Sequence, residues 1–137
     1  MRVFLDANIL FSAAKSDGAV RSLLRLLVER GHEPVADAYV VEEARRNLAA
    51  KGPETLSALE DLLARVEGSP AALPPRSAAA AVRWLPENDR PVLEAAIRPR
   101  CDALVTGDRT HFGAGFGRAL GGVVVHSPRS LAEHLLG

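Results

Sequence analysis

At 137 residues and 14.6 kDa the chain has the size of one domain, long enough to bury a core without disulfide or metal staples. Its 47% hydrophobic and 25% charged residues exclude wholesale disorder, and only 4% aromatics make an aliphatic core the expectation. The formal net charge of +0 gives no whole-chain attraction for nucleic acid, so such a partner must meet a local patch, built mostly of arginine because Lys15 and Lys51 are the only lysines. A single Cys101 rules out an internal disulfide. No apolar run approaches the roughly 20 residues that span a bilayer, because Asp6 and Asn8 interrupt the first one. The chain opens on a strand-like run instead of a leader pattern, so the expected location is cytoplasmic and off the membrane.

Val3, Phe4 and Leu5 form a continuous apolar run, as expected for a strand buried on both faces of a parallel sheet, and Asp6 ends it. Residues 8–14 read as a short helix. Asp17-Gly18 breaks it before a helix over 19–30 with a Leu23, Leu24, Leu27, Val28 stripe, which Gly31 stops. Residues 34–36 make a weak second strand, and Asp37 caps a helix through residue 50. Gly52-Pro53 closes that helix and opens another over 54–66, whose Leu56, Leu59, Leu62, Leu63 and Val66 face a core. Residues 68–75 read as a loop too short to be a domain linker, 76–85 as an Ala-rich helix, and 89–97 as a helix capped by Asn88 with Pro91 in its first turn. A third strand over 103–106 ends at Gly107-Asp108. Residues 113–122 read as a glycine-rich rim, followed by a last strand and a final helix opened by Ser127-Pro128. Strands alternating with helices predict an α/β fold with a parallel sheet covered on both faces.

Sites in open α/β sheets lie beyond the carboxyl ends of the strands, and both Asp6 and Asp108 follow predicted strands directly. Two short carboxylates at one rigid edge suit Mg²⁺ or Mn²⁺, which want hard oxygen ligands with room for water and a phosphate. In the Glu42-Glu43 pair, helical spacing gives Glu42 to Arg45 and Arg46 as a solvated ion pair. Glu43 shares a face with Val40 and Asn47 at the core boundary. Asp89 opens a helix, where the dipole alone favours a carboxylate. Asp102 is a decoy: six residues of strand place it roughly 20 Å from Asp108, at the other end of the sheet.

Four stretches in this order, VFLDANIL, YVVEEARRNL, ENDRPVLEAAI and CDALVTGDRTHF, make the chain resemble the PIN-domain nucleases, including toxin ribonucleases of the VapC type, over essentially its whole length. The resemblance implies an α/β/α three-layer sandwich with a central, mainly parallel five-stranded sheet in one domain over residues 1–137. It implies hydrolysis of RNA phosphodiesters, with Asp6, Glu43, Asp89 and Asp108 as catalytic residues and ligands to one or two Mg²⁺ or Mn²⁺ ions. Such ions would lower the pKa of a bound water and neutralise phosphate charge. Asn8 and Thr106 would orient a carboxylate or a metal-bound water. Arg109 and His111 follow Asp108 at the site edge and read either as phosphate contacts or as surface residues, His111 also as a side chain packed on Phe112. Two positions depart from the family's habit: Ala7 where Ser or Thr often follows the first Asp, and Asp37 where Ser often caps the helix. Neither removes a carboxylate.

The resemblance to toxins also implies a small antitoxin that covers the site, and a homodimer formed through helices whose apolar stripes exceed one core face. Alternatives are a free-standing RNA-processing nuclease, or a catalytically silent PIN-like module that binds RNA or protein. A phospho-acceptor signalling domain would need a central acceptor Asp after a middle strand and a Lys after a late one, and the chain has neither.

Overall fold

The computed structural model describes residues 1–66, 90–97, 101–108 and 119–136. The expected helices and loops over 68–85, the Asn88 cap and residues 113–118 lie outside these. The described elements run β1 (Arg2–Leu5), α1 (Ala7–Lys15), α2 (Ala19–Glu29), β2 (Glu33–Val35), α3 (Ala38–Lys51), a 3-10 turn (Pro53–Thr55), α4 (Leu56–Leu63), α5 (Arg90–Ile97), β3 (Ala103–Val105), β4 (Ala119–Leu120), β5 (Val123–His126) and α6 (Pro128–Leu136).

Five strands form one sheet in the order β2-β1-β3-β5-β4. The first four in that order are parallel, and β4 runs antiparallel against β5. The fold is therefore the expected α/β architecture, a mainly parallel sheet flanked by helices. The apolar run of β1 has its explanation here: the strand is paired on both edges, by β2 and β3, and Val3, Phe4 and Leu5 are fully buried. Pro34 sits in β2 without cost because β2 is an edge strand among those described, where a missing N–H breaks no ladder.

Local chemistry sets the helix ends. Asp6 caps α1 by accepting from the Ala7 N–H, and Asp37 caps α3 by accepting from the Val40 N–H at 3.1 Å. Gly31, at φ 78°, ends α2, with the His32 N–H returning to the Leu27 carbonyl at 2.9 Å. Ser127 and Ser130 cap α6 reciprocally, each backbone N–H donating to the other's hydroxyl at 3.1 Å.

Two expectations are refined. The helix over 54–66 begins as a 3-10 turn with Pro53 at its start, and α-helix proper spans only Leu56–Leu63. The end of the glycine-rich stretch is a hairpin: Gly121 and Gly122, at φ 58° and 86°, make a two-residue turn joining β4 to β5. Gly121 also packs tightly, since a Cβ there would lie 2.8 Å from Ile97 Cδ1.

Candidate active site

Parallel pairing brings the two key strand ends together. Leu5 is in register with Val105, and the Asp6 N–H donates to the Val105 carbonyl at 3.1 Å. Asp6 and Thr106, 100 residues apart in sequence, thus leave the sheet side by side. The Thr106 hydroxyl, fully buried, donates to Asp6 Oδ2 at 2.7 Å and accepts from the Asp108 N–H at 3.1 Å. Asn8 joins the same turn: its Nδ2 lies 3.3 Å from both Asp6 Oδ2 and Thr106 Oγ1, and its Oδ1 accepts from the Gly107 N–H at 2.8 Å. Asn8 and Thr106 therefore tie the turn after β1 to the turn after β3.

A pocket of about 120 Å³ opens at this edge, lined by Asp6, Asn8, Glu43, Asn47, Asp108 and Tyr39, with Ala7 and Val92 completing the wall. Tyr39, Glu43 and Asn47 come from α3 at successive i, i+4 positions, so one helix face supplies a whole side. Glu42 points away to an exposed ion pair with Arg45, 3.0 Å long, which also holds Glu60. Asp102 is exposed at the opposite end of β3, where it accepts from the Arg2 N–H at 2.8 Å. Three of the four expected acids, Asp6, Glu43 and Asp108, thus meet in one pocket. Asp89, Arg109 and His111 lie outside the described residues, although Val92, three positions after Asp89, lines the pocket.

Asp6 is only 5% exposed. Burial pushes its pKa above the ordinary 3.8, and the negative charges of Glu43 and Asp108 push the same way. Hydrogen bonds from the Thr106 hydroxyl and the Ala7 N–H work against that rise. The pocket is thus a place where negative charge is crowded and only partly compensated.

Among the described residues no three His, Cys, Asp or Glu side chains stand close enough together to form a ready metal cage. The donors that line the pocket nevertheless suit a hard divalent cation: the carboxylates of Asp6, Glu43 and Asp108 are oxygen ligands, and the crowding at Asp6 is what such a charge would relieve. Tyr39 and Val92 join the pocket beyond the residues the sequence predicts for it. Tyr39 had a readable signal, four positions before Glu43 on the same helix.

The PIN domain family model matches residues 2–110 of the chain. No curated protein matches it. Among solved structures, the chain is similar to one in the crystal structure of VapBC2 from Rickettsia felis bound to a DNA fragment from their promoter. That match has a TM-score of 0.65 at 19% identity and covers 93% of this chain and 98% of the other. At this identity the likeness is one of fold.

Proposed function

Because the chain belongs to the PIN-domain family, we propose that it is a divalent-metal-dependent endoribonuclease, and that it is the toxin of a toxin–antitoxin pair. The observation that carries the nuclease reading is the convergence of Asp6, Glu43 and Asp108, from three different elements, on one pocket at the carboxyl edge of the sheet. In this reading those three residues and Asp89 hold one or two Mg²⁺ or Mn²⁺ ions. A bound divalent ion supplies neutralisation of phosphate charge and acidifies a water.

The protein's own contribution is position and charge. Thr106 and the Ala7 N–H hold both oxygens of Asp6, so this carboxylate keeps one orientation whether or not substrate is present. Asn8 pins the turn that carries Asp108. Glu43 projects from a helix capped by Asp37 and packed on α1, which fixes its distance from Asp6 better than a loop would. Arg109 and His111, next to Asp108 in sequence, take the role of phosphate contacts.

The toxin reading draws on the VapBC2 likeness, and it implies a small antitoxin partner and a homodimer. A groove between α2 and α4, where Leu24, Val28, Leu62 and Val66 stand among Arg21, Arg25, Asp61 and Arg65, offers mixed apolar and charged surface for such contacts, with Val28 44% exposed. Light scattering that finds a strict monomer at micromolar concentration removes the dimer.

The test of the nuclease reading is cleavage of a labelled structured RNA with Mg²⁺ or Mn²⁺. Asp6→Asn should lower the rate at least about 100-fold, since displacing even a residue behind the ligands costs 10- to 100-fold. Cleavage that survives EDTA or that substitution refutes the mechanism.

A further inference from the structure

Tyr39 is the only tyrosine of the chain and stands in the first turn of α3, four residues before Glu43. That spacing puts the two on one helix face, about 6 Å apart along the axis. The ring is a wall of the carboxylate pocket and yet is 45% exposed. The other described Phe rings, Phe4 and Phe11, offer no such face. Phe4 is fully buried. Phe11 packs on the core, with the ammonium groups of Lys15 and Lys51 at 5.2 and 5.9 Å from its ring centre.

The pocket sets a binding problem that this ring solves. Its described walls carry Asp6, Glu43 and Asp108 and no lysine or arginine, on a chain of formal net charge +0. A polyanion therefore gains little from long-range attraction to these walls. Beside the bound ion and the phosphate contacts proposed above, affinity at the mouth has a further source in a group that recognises the base, and stacking on an aromatic face does so whatever the sequence.

We propose that Tyr39 is a substrate-contacting residue whose ring stacks on an unpaired nucleobase beside the phosphodiester held at the carboxylates. This rests on the ribonuclease reading above. In a duplex both faces of each base are covered by neighbours, and stacking on Tyr39 would require unstacking first.

The experiment measures binding of a short fluorescent single-stranded RNA and of its duplex by anisotropy, with Ca²⁺ replacing the catalytic ion. The intact protein is compared with Tyr39→Phe, Tyr39→Leu and Tyr39→Ala, and cleavage of the same strand is followed with Mn²⁺. The intact protein should prefer the strand, and Tyr39→Phe should match it. Tyr39→Leu and Tyr39→Ala should bind the strand roughly 5- to 100-fold more weakly, with duplex binding unchanged, and raise KM while kcat stays within about twofold. Unaltered strand binding in Tyr39→Ala overturns the proposal, as does a loss in Tyr39→Phe equal to that in Tyr39→Ala, an equal loss on strand and duplex, or an intact protein that binds neither. Strand binding that depends on Tyr39 without any cleavage keeps the stacking contact and removes hydrolysis. Cleavage with unchanged KM in Tyr39→Ala keeps hydrolysis and removes the contact.

Discussion

Replacing Thr106 with valine keeps the shape of a fully buried side chain and deletes one oxygen that serves three partners. The shortest of these bonds, 2.7 Å to Asp6 Oδ2, is made to a carboxylate, and a bond to a charged group contributes about 1.5–3 kcal/mol. The Asp108 N–H, left without its acceptor, is only partly buried and can turn to water, so its loss adds about 1 kcal/mol at most. Thr106→Val should therefore cost about 2–4 kcal/mol, a fall in Tm of roughly 6–15 °C for a domain of this size. Thr106→Ser keeps the oxygen and loses one methyl, for about 1 kcal/mol. The deficit also has a pH signature. The Thr106 hydroxyl lowers the folded pKa of Asp6 against the effect of burial, so removing it raises that pKa further. The deficit of the valine variant is then full where Asp6 is ionised and shrinks as pH falls through its raised pKa. Thermal unfolding of the three proteins across pH, in metal-free buffer, reads all of this. A valine variant within about 1 °C of the parent, against a cost expected from its buried bond, or a serine variant as unstable as the valine one, refutes the role given to this oxygen.

Asp6 itself gives the complementary result. Its folded pKa lies above the unfolded value, so in metal-free buffer it costs stability as pH rises through that folded pKa, and Asp6→Asn should gain on the parent over the same range. Divalent ion at about 100 times its Kd should stabilise the parent by about 2.7 kcal/mol and leave the variant nearly unmoved in a thermal melt. Two glycines separate backbone strain from packing. Gly31 (φ 78°) has open space where a Cβ would stand, so Gly31→Ala should cost about 1–2 kcal/mol by denaturant unfolding. Gly121 (φ 58°) faces Ile97, which is fully buried and would have to shift within the core, so Gly121→Ala should cost about 1–3 kcal/mol more.

Where local pattern carries the information, the chain was readable from its residues. The apolar runs Val3 to Leu5 and Ala103 to Val105, each ending in a turn with an acid, follow from burial on both faces of a parallel sheet. Glu43 separates from Glu42 because a helix turns 100° per residue and Arg45 lies on the Glu42 side. The β4 hairpin escaped because two residues are too few to show an alternation, and the surrounding glycines read as loop; only the Gly121-Gly122 pair marked a turn. The α-helix within 54–66 is shorter than its apolar spacing predicts, because that spacing reports the face and not the ends.

The contacts that make the pocket are of another kind. Thr106 reaches Asp6 and Asn8 across about a hundred residues, distances no spacing rule covers. What brings them together is register: Leu5 opposite Val105 in β1 and β3 sets Asp6 beside Thr106. A slip of one residue in that pairing would turn the hydroxyl to the opposite face of the sheet while leaving every acid in the sequence. The acids in the sequence therefore do not by themselves make the pocket. The buried aliphatic residues of β1 and β3, which carry no chemistry, hold the register on which the carboxylates depend.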